Sequence, residues 1–152
     1  MLAQFAVRHF KIAVTGLEQQ SIVKTDDMVR VYLVEDSPIV RDFVIEAVSE
    51  NPAVQVIGHA ETEMDAIAGI MKGKPDVVIL DIHLRKGNGL SVLRSLKQMI
   101  LPAFPLVIVL TNYGVGHYQN RCMELGADYF LDKSTQFERV TELLAELARK
   151  RS

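Results

Sequence analysis

Three carboxylates directly follow two short apolar runs of the chain. Glu35 and Asp36 come after the run at 29–34, and Asp81 comes after the run at 77–80. Both runs are rich in β-branched residues and too short for a typical helix, so they predict buried strands. A carboxylate is costly in the middle of such a strand, but at its tip it can be hydrated or paired with a cation. The pattern therefore predicts a site for a hard cation.

Strand and helix signals alternate along the chain from Met28, in five units of one strand and one helix. Ser37 is suited to cap a helix that has Pro38 in its first turn. Thr62 is suited to open the second helix, which Gly73 and Pro75 are expected to close. The predicted strands cover about 29–34, 54–57, 76–80, 104–110 and 129–131, and the predicted helices about 38–50, 62–73, 90–100, 116–125 and 135–149.

This alternation predicts an α/β fold, a doubly wound parallel sheet of five strands with helices on both faces. In open sheets of this class, ligands bind beyond the carboxyl ends of the strands, where the strand order reverses. For the flavodoxin-like order 2-1-3-4-5, that point lies between the first and third strands. Those strands precede Glu35-Asp36 and Asp81, so the fold and the carboxylates indicate the same place.

The composition excludes several classes of protein. The 152 residues are 49% apolar and 24% charged, which is typical of a globular domain. The net charge of −2 argues against a nucleic-acid-binding surface, and no apolar stretch reaches the roughly 18–20 residues of a membrane-spanning helix. Cys122 is the single cysteine and fits a reducing compartment. We therefore expect a cytoplasmic protein with no direct nucleic-acid binding and no membrane binding.

From Val29 to Arg149 the sequence resembles the receiver domains of two-component response regulators. That family places an acidic pair after the first strand, a phospho-accepting Asp after the third, Ser or Thr after the fourth and Lys after the fifth, with a Gly-Leu pair beyond the acceptor. The residues of this chain at those positions are, in the same order, Glu35 with Asp36, Asp81, Thr111, Lys133 and Gly89-Leu90.

The resemblance implies a phosphorylation switch that depends on Mg²⁺. Asp81 would accept a phosphoryl group from a histidine kinase or a histidine phosphotransfer protein, in a chain that is otherwise not an enzyme. Lys133 and Thr111 would contact the phosphoryl oxygens, and Phe130 would fill the space that Thr111 leaves. The face formed by the helix at 116–125, the fifth strand and the last helix would then change for an unknown downstream partner. The implied metal ligands are Asp36, Asp81, Glu35 through water, and the backbone carbonyl of His83.

Some positions depart from common patterns of the family. Arg85 stands where many receivers have Pro, and Ser134 stands where many have Pro after a cis peptide bond. Phe130 occupies a position where Tyr is common. His83 and Tyr113 occupy the two positions that influence how water reaches the phosphoryl group. Because both side chains are bulky, we expect them to slow hydrolysis.

Other interpretations remain open at this point. Glu35-Asp36 could cap the following helix, and Lys133 could be solvated beside Asp132. The chain could also be the receiver of a longer DNA-binding response regulator, because the stretch at 56–62 resembles such proteins. A phosphohydrolase of the haloacid dehalogenase type is a further alternative, although such enzymes have a second Asp where this chain has His83.

Residues 1–27 form an extension before the expected receiver domain at 28–152. They lack the pattern of a signal peptide. One expectation is a poorly ordered extension, or an upstream start with Met28 as the natural beginning. The alternative, from the spacing of the apolar residues, is an amphipathic helix that docks or dimerises, so a homodimer is one possible state. The apolar residues near helical spacing are Leu2, Phe5, Ala6, Phe10, Ala13 and Leu17.

Overall fold

The computed structural model describes residues 25–99, 101, 103–112 and 116–152. Its strands are β1 (Val29–Val34), β2 (Val54–Ala60), β3 (Val77–Leu80), β4 (Leu106–Thr111) and β5 (Tyr129–Asp132). They form one parallel sheet in the order β2-β1-β3-β4-β5. The predicted fold class and strand order are thereby confirmed.

The helices of the described residues alternate with the strands, and a short 3₁₀ turn at Thr25–Asp27 precedes β1. They are α1 (Pro38–Ser49), α2 (Glu63–Gly73), α3 (Gly89–Gln98), α4 (His117–Glu124) and α5 (Phe137–Arg151). Two predicted caps are confirmed. The Ser37 hydroxyl accepts the N–H of Val40 at 3.4 Å, and the Thr62 hydroxyl accepts the N–H of Asp65 at 3.3 Å. Each bond satisfies a backbone donor that has no partner within the helix.

Apolar side chains cover both faces of the sheet. One core packs α1 and α5 against residues such as Val31 and Ile79, and the other packs α2, α3 and α4 against residues such as Leu80 and Val109. A sheet covered on both faces leaves the carboxyl ends of its strands as the natural place for polar chemistry.

Several element ends differ from the sequence prediction. β2 extends to Ala60 instead of ending near residue 57, and β4 begins at Leu106, which leaves Phe104 half exposed. α2 ends at Gly73, as predicted, and Lys74 follows it as the C-cap in a left-handed conformation (φ 47°). The guanidinium of Arg30 donates hydrogen bonds to the carbonyls of both residues, which stabilises this end.

Two predictions fall outside the described residues. The amphipathic helix proposed within residues 1–27 lies almost wholly before Thr25, and Tyr113 lies between the described residues 112 and 116. Within the described ranges, no helix is both long and apolar enough to cross a membrane.

Candidate functional site

The pairing of β1 with β3 places the acidic residues at one edge of the sheet. Val34 is the register partner of Leu80, so Glu35 and Asp81 leave the sheet side by side. The N–H of Asp81 donates to the carbonyl of Val34 at 3.0 Å, which continues the ladder by one residue. The predicted convergence of the two strand ends is therefore seen in the structure.

Three carboxylates meet at this edge. Oxygen atoms of Glu35, Asp36 and Asp81 all lie within 4.8 Å of one another. Glu35 and Asp81 are buried, and Asp36 is half-buried. The helix-cap alternative for the acidic pair is not what the structure shows, since the cap of α1 is Ser37 and the Glu35 carboxylate accepts the N–H of Ser37 at 3.1 Å.

Lys133 brings a positive charge into the acidic cluster. Its N–H donates to the carbonyl of Thr111 at 3.0 Å, which fixes the backbone just beyond β5. Its ammonium Nζ lies 2.6 Å from Glu35 Oε2 and 2.8 Å from Asp81 Oδ2, and its side chain is only 11% exposed. The alternative of a solvated Lys133 paired with Asp132 is wrong, because Asp132 instead accepts hydrogen bonds from Ser134.

The electrostatics of these groups are coupled. Burial raises the pKa of the Glu35 carboxyl above its ordinary value. The hydrogen bond from Lys133 acts to lower this pKa, and the negative charge of Asp81 acts to raise it further. Burial acts to lower the pKa of the Lys133 ammonium, but its hydrogen bonds to Asp81 and Glu35 outweigh burial and raise that pKa. Lys133 is therefore charged at neutral pH, and one ammonium does not fully offset the carboxylates around it.

The cluster fits a divalent cation. In the described part of the chain, Asp81 Oδ1 is buried and has no hydrogen-bond partner. Such an oxygen is costly unless something pairs with it. With three ionised carboxylates and one ammonium, Glu35, Asp36, Asp81 and Lys133 together carry two negative charges. Mg²⁺ binds carboxylate oxygens, and its two positive charges balance the two negative charges of the cluster. The carboxylate oxygens therefore suit this ion.

Thr111 and Phe130 lie on the two strands beside the cluster. Thr111 ends β4, is 1% exposed and pairs in register with Asp132 of β5. Phe130 of β5 is half-buried and packs against the core beneath α2, α3 and α4. A movement of Thr111 can therefore displace β5, since β4 and β5 are hydrogen-bonded neighbours.

His83 lies in the loop after β3 with its side chain exposed. Its ring centroid lies 6.2 Å from that of Tyr118 on α4, in an edge-to-face arrangement. Tyr118 was missed by the sequence analysis, which paired His83 with Tyr113. Helical spacing marks Tyr118 as a residue of α4, but nothing in the sequence indicates which side chain of that helix meets the loop.

Backbone and side-chain hydrogen bonds hold the loop between β3 and α3. The N–H of Gly89 donates to the Ile82 carbonyl at 2.7 Å, and a Cβ at this position would lie 2.3 Å from the carbonyl oxygen of Asp81. Only glycine permits this approach, which explains the Gly of the Gly-Leu pair. The carboxylate of Glu63 also accepts the N–H of Asn88 at 3.1 Å.

An ion-pair chain lies among the loops at the same end of the sheet. Glu61, just after β2, pairs with Arg41 of α1 at 2.8 Å and with Arg85 of the β3–α3 loop at 3.5 Å. The sequence analysis noted Arg85 only as a departure from Pro. Its partner could not have been found from spacing, because Glu61 is brought close only by the order of the strands.

Comparisons with known proteins identify the family of the chain. The sequence model of the response regulator receiver domain matches residues 31–145. Protein-glutamate methylesterase/protein-glutamine glutaminase 1 of Methanospirillum hungatei is 33% identical over 126 residues, which are 81% of this chain and 36% of that protein. Sensory transduction protein LytT of Bacillus anthracis is 32% identical over 117 residues, 77% of this chain and 46% of that protein. The chain thus spans less than half the length of these two curated relatives.

Solved structures show the same fold. The response regulator domain of Thermotoga maritima CheB superposes with a TM-score of 0.68 at 25% identity, over 82% of this chain and 96% of that one. The signal receiver domain of a putative Luxo repressor protein from Vibrio parahaemolyticus gives a TM-score of 0.69 at 30% identity, over 82% and 92% of the two chains.

Proposed function

Since the chain belongs to the response regulator receiver domain family, we propose that Asp81 accepts a phosphoryl group from a histidine kinase or a histidine phosphotransfer protein. The observation that carries this proposal is the state of the Asp81 carboxylate. One of its oxygens is held by Lys133 at 2.8 Å, and the other is buried without a hydrogen-bond partner among the described residues. A carboxylate placed in this way is oriented and ready to bind an electrophile or a cation.

The proposed reaction needs no general base. A carboxylate oxygen of Asp81 attacks the phosphorus atom of the donor, and the bond from phosphorus to the donor's leaving nitrogen or oxygen breaks as the acyl phosphate forms. Such transfers depend mainly on positioning and on neutralising charge. Lys133 supplies a fixed positive charge next to Asp81, and the N–H of Asp81, bonded to Val34, fixes the backbone of the nucleophile.

Mg²⁺ completes the proposed site. Asp36 and Asp81 would bind it directly, Glu35 through water, and the backbone carbonyl of His83 would be a further ligand. When bound, the ion supplies positive charge that offsets repulsion between the carboxylates and the incoming phosphoryl oxygens. An indirect role for Glu35 is supported by its two oxygens, which already accept hydrogen bonds from Ser37 and Lys133.

The proposed switch runs through β4 and β5. Thr111 would donate its hydroxyl to a phosphoryl oxygen, and Phe130 would move toward the space that this shift opens. The face formed by α4, β5 and α5 would then bind a downstream partner differently in the phosphorylated state. Support for this route comes from the register pairing of the two strands and from the half-buried position of Phe130.

We further propose that residues 28–152 act as the receiver and that residues 1–27 are an extension of it. The methylesterase activity in the name of the Methanospirillum relative belongs to that protein, of which this chain matches 36%. The family match favours a receiver over the phosphohydrolase alternative. A receiver within a longer DNA-binding regulator remains the second proposal.

The test is phosphorylation by acetyl phosphate in the presence of Mg²⁺, measured by intact-protein mass spectrometry. The wild type should gain the mass of one phosphoryl group, and Asp81→Asn should gain none. Asp36→Asn should need more Mg²⁺ for the same labelling. Asp42→Asn is the matched control, because that side chain is 76% exposed on α1 and should be labelled as the wild type is. Full labelling of Asp81→Asn would refute the assignment.

A further inference from the structure

An apolar groove runs between α1 and α5, on the face of the sheet away from α2, α3 and α4. Its upper part is a cavity of about 300 Å³ between the two helices, next to the acidic cluster. Its lower part is a second cavity of about 430 Å³ that shares Phe137 with the first. Two large apolar side chains of α1 remain exposed at the upper cavity, Ile39 at 83% and Phe43 at 57%.

The groove therefore has the character of an interaction surface. The ring of Phe43 lies 4.9 Å from that of Phe137, so these two rings form a shallow aromatic floor above the core that Val44 and Val140 share. Exposed side chains of this size are costly in water and usually become covered by another apolar surface.

The described chain begins at the lower end of this groove. Thr25–Asp27 leads into β1, and the carbonyl of Met28 accepts a hydrogen bond from Arg151 at the end of α5 at 3.1 Å. The next N–H, that of Val29, donates to the carbonyl of Ala53 beyond the end of α1 at 2.8 Å. The segment before Thr25 thus joins the fold between the last turns of the two helices that line the groove.

The sequence of that segment complements the groove in shape. Residues 2–17 carry a stripe of apolar side chains at the spacing of an amphipathic helix. A helix of that length measures about 24 Å, against about 18 Å for the 12 residues of α1. Residues 18–24 can span up to about 23 Å when extended, which is enough to turn back along the groove.

The charges are complementary as well. Residues 1–17 contain Arg8 and Lys11 and no Asp or Glu. The lower cavity is lined by Glu50 and Glu138, which are exposed at its edges. A basic amphipathic segment can therefore bury its apolar stripe over Phe43 and place its cations near these carboxylates.

From the position of the groove, its exposed aromatic floor and the sequence of the extension, we propose that residues 2–17 dock as a helix between α1 and α5 of the same chain. Lys133 and Ser134 line the upper cavity, so the groove begins beside the acidic cluster. The docking does not rest on the proposed function.

The chain has no Trp, so a single introduced Trp reports on the segment. In the full chain, Phe10→Trp should emit at shorter wavelength and be quenched less by acrylamide than Gln4→Trp, which lies on the opposite side of the predicted helix. Phe5→Trp serves as a second probe within the stripe. Adding Phe43→Asp should shift the Phe10→Trp emission to that of an exposed indole. Adding Met71→Asp should not, because Met71 is 51% exposed on α2, across the sheet.

Each outcome decides the proposal, and none depends on phosphorylation. Exposed emission from both stripe probes would overturn it, as would buried emission that Phe43→Asp leaves unchanged. Emission that shifts with protein concentration would show that the segment docks on a second copy instead. Circular dichroism and urea unfolding of each variant confirm that the fold is intact before the emission is compared. If docking is confirmed but acetyl phosphate fails to label Asp81, only the proposed function is lost.

Discussion

Replacing Lys133 with Met removes the ammonium group that bonds both Glu35 and Asp81. The two carboxylates would stay buried, with side chains 3% and 7% exposed, and would repel each other without compensation. Removing one partner of a buried ion pair typically destabilises a protein by about 3–5 kcal/mol. Two bonds are lost here, but Asp36 and the loop edge allow some hydration, so we expect about 3 kcal/mol within that range.

Urea unfolding at pH 7 measures the effect. With a slope near 2 kcal/mol per molar urea, a loss of about 3 kcal/mol lowers the midpoint by about 1.5 M. Mg²⁺ should restore more stability to Lys133→Met than to the wild type, since it would offset charge that the variant leaves uncompensated. At a concentration of about 100 times its dissociation constant, a ligand of the folded state adds about 2.7 kcal/mol.

The pH dependence gives an independent check. The pKa of Glu35 is raised in the folded protein, so the folded state binds this proton more tightly than the unfolded one. The ionised, buried Glu35 carboxylate thus lowers the stability of the folded protein at pH values above its raised pKa. This destabilisation disappears below pH 4.5, the ordinary pKa value, where the carboxyl is protonated in both states. Losing Lys133 raises that pKa further, because the lowering hydrogen bond is gone. The difference in stability between variant and wild type should therefore shrink as the pH falls from 7 toward 4.5.

The matched control is the double variant Lys133→Met with Asp81→Asn. It removes one of the two buried charges, so it should be more stable than Lys133→Met alone. The reasoning would be refuted by a Lys133→Met protein whose urea midpoint equals that of the wild type at pH 7 without Mg²⁺. It would also fail if the midpoint difference were the same at pH 7 and pH 4.5.

Three further outcomes follow from the structure. Gly89→Ala should cost about 1–3 kcal/mol in urea unfolding and slow labelling of Asp81, because its Cβ would meet the backbone oxygen of that residue at 2.3 Å; unchanged stability would contradict the contact. Burial acts to raise the pKa of the Asp76 carboxyl, but the hydrogen bond from Arg151 outweighs burial and lowers that pKa below 3.8. The stability that the ionised carboxylate contributes is therefore present above pH 3.8 and is lost as the pH falls through the lowered pKa. Arg151→Gln should cost about 1 kcal/mol at pH 7, since Arg151 is 37% exposed, and less near pH 2. Burial raises the pKa of Cys122 to about 11, so iodoacetamide should alkylate this thiol at pH 8 only after unfolding, as read by intact mass.

The fold was predictable because its signals are local. Apolar runs, Ser37 and Thr62 as caps, and the alternation of strand and helix each depend on neighbouring residues alone. The position of the acidic cluster also followed, since parallel strands deliver their ends to one edge. The bonds that stabilise the end of α2 were not predictable in the same way. Arg30, more than forty residues away, donates hydrogen bonds to the carbonyls of Gly73 and Lys74.

The finer geometry of the site depends on contacts that sequence spacing does not encode. Lys133 was placed at the site by resemblance, but its simultaneous bonds to Glu35 and Asp81 appear only when β1, β3 and β5 are assembled. The meeting of His83 with Tyr118 and the pairing of Arg85 with Glu61 are likewise contacts between distant segments. Residues on different strands are brought together by the strand order, and their rotamers are then set by packing.

The charge at the site explains why phosphorylation, as proposed, would have to change the shape of the protein. Glu35, Asp36, Asp81 and Lys133 sum to −2, which one Mg²⁺ would offset completely. Phosphorylation removes the charge of the Asp81 carboxylate and adds a phosphoryl group of about −1.5 to −2, so the occupied site gains up to about one negative charge. A buried excess charge is unstable unless new donors meet it. Lys133 is already held by Glu35, so further stabilisation must come from groups that move in, and Thr111 at the end of the neighbouring strand β4 carries a hydroxyl that can donate. In the proposed switch, a displacement of β4 and β5 would then follow from charge balance at Asp81.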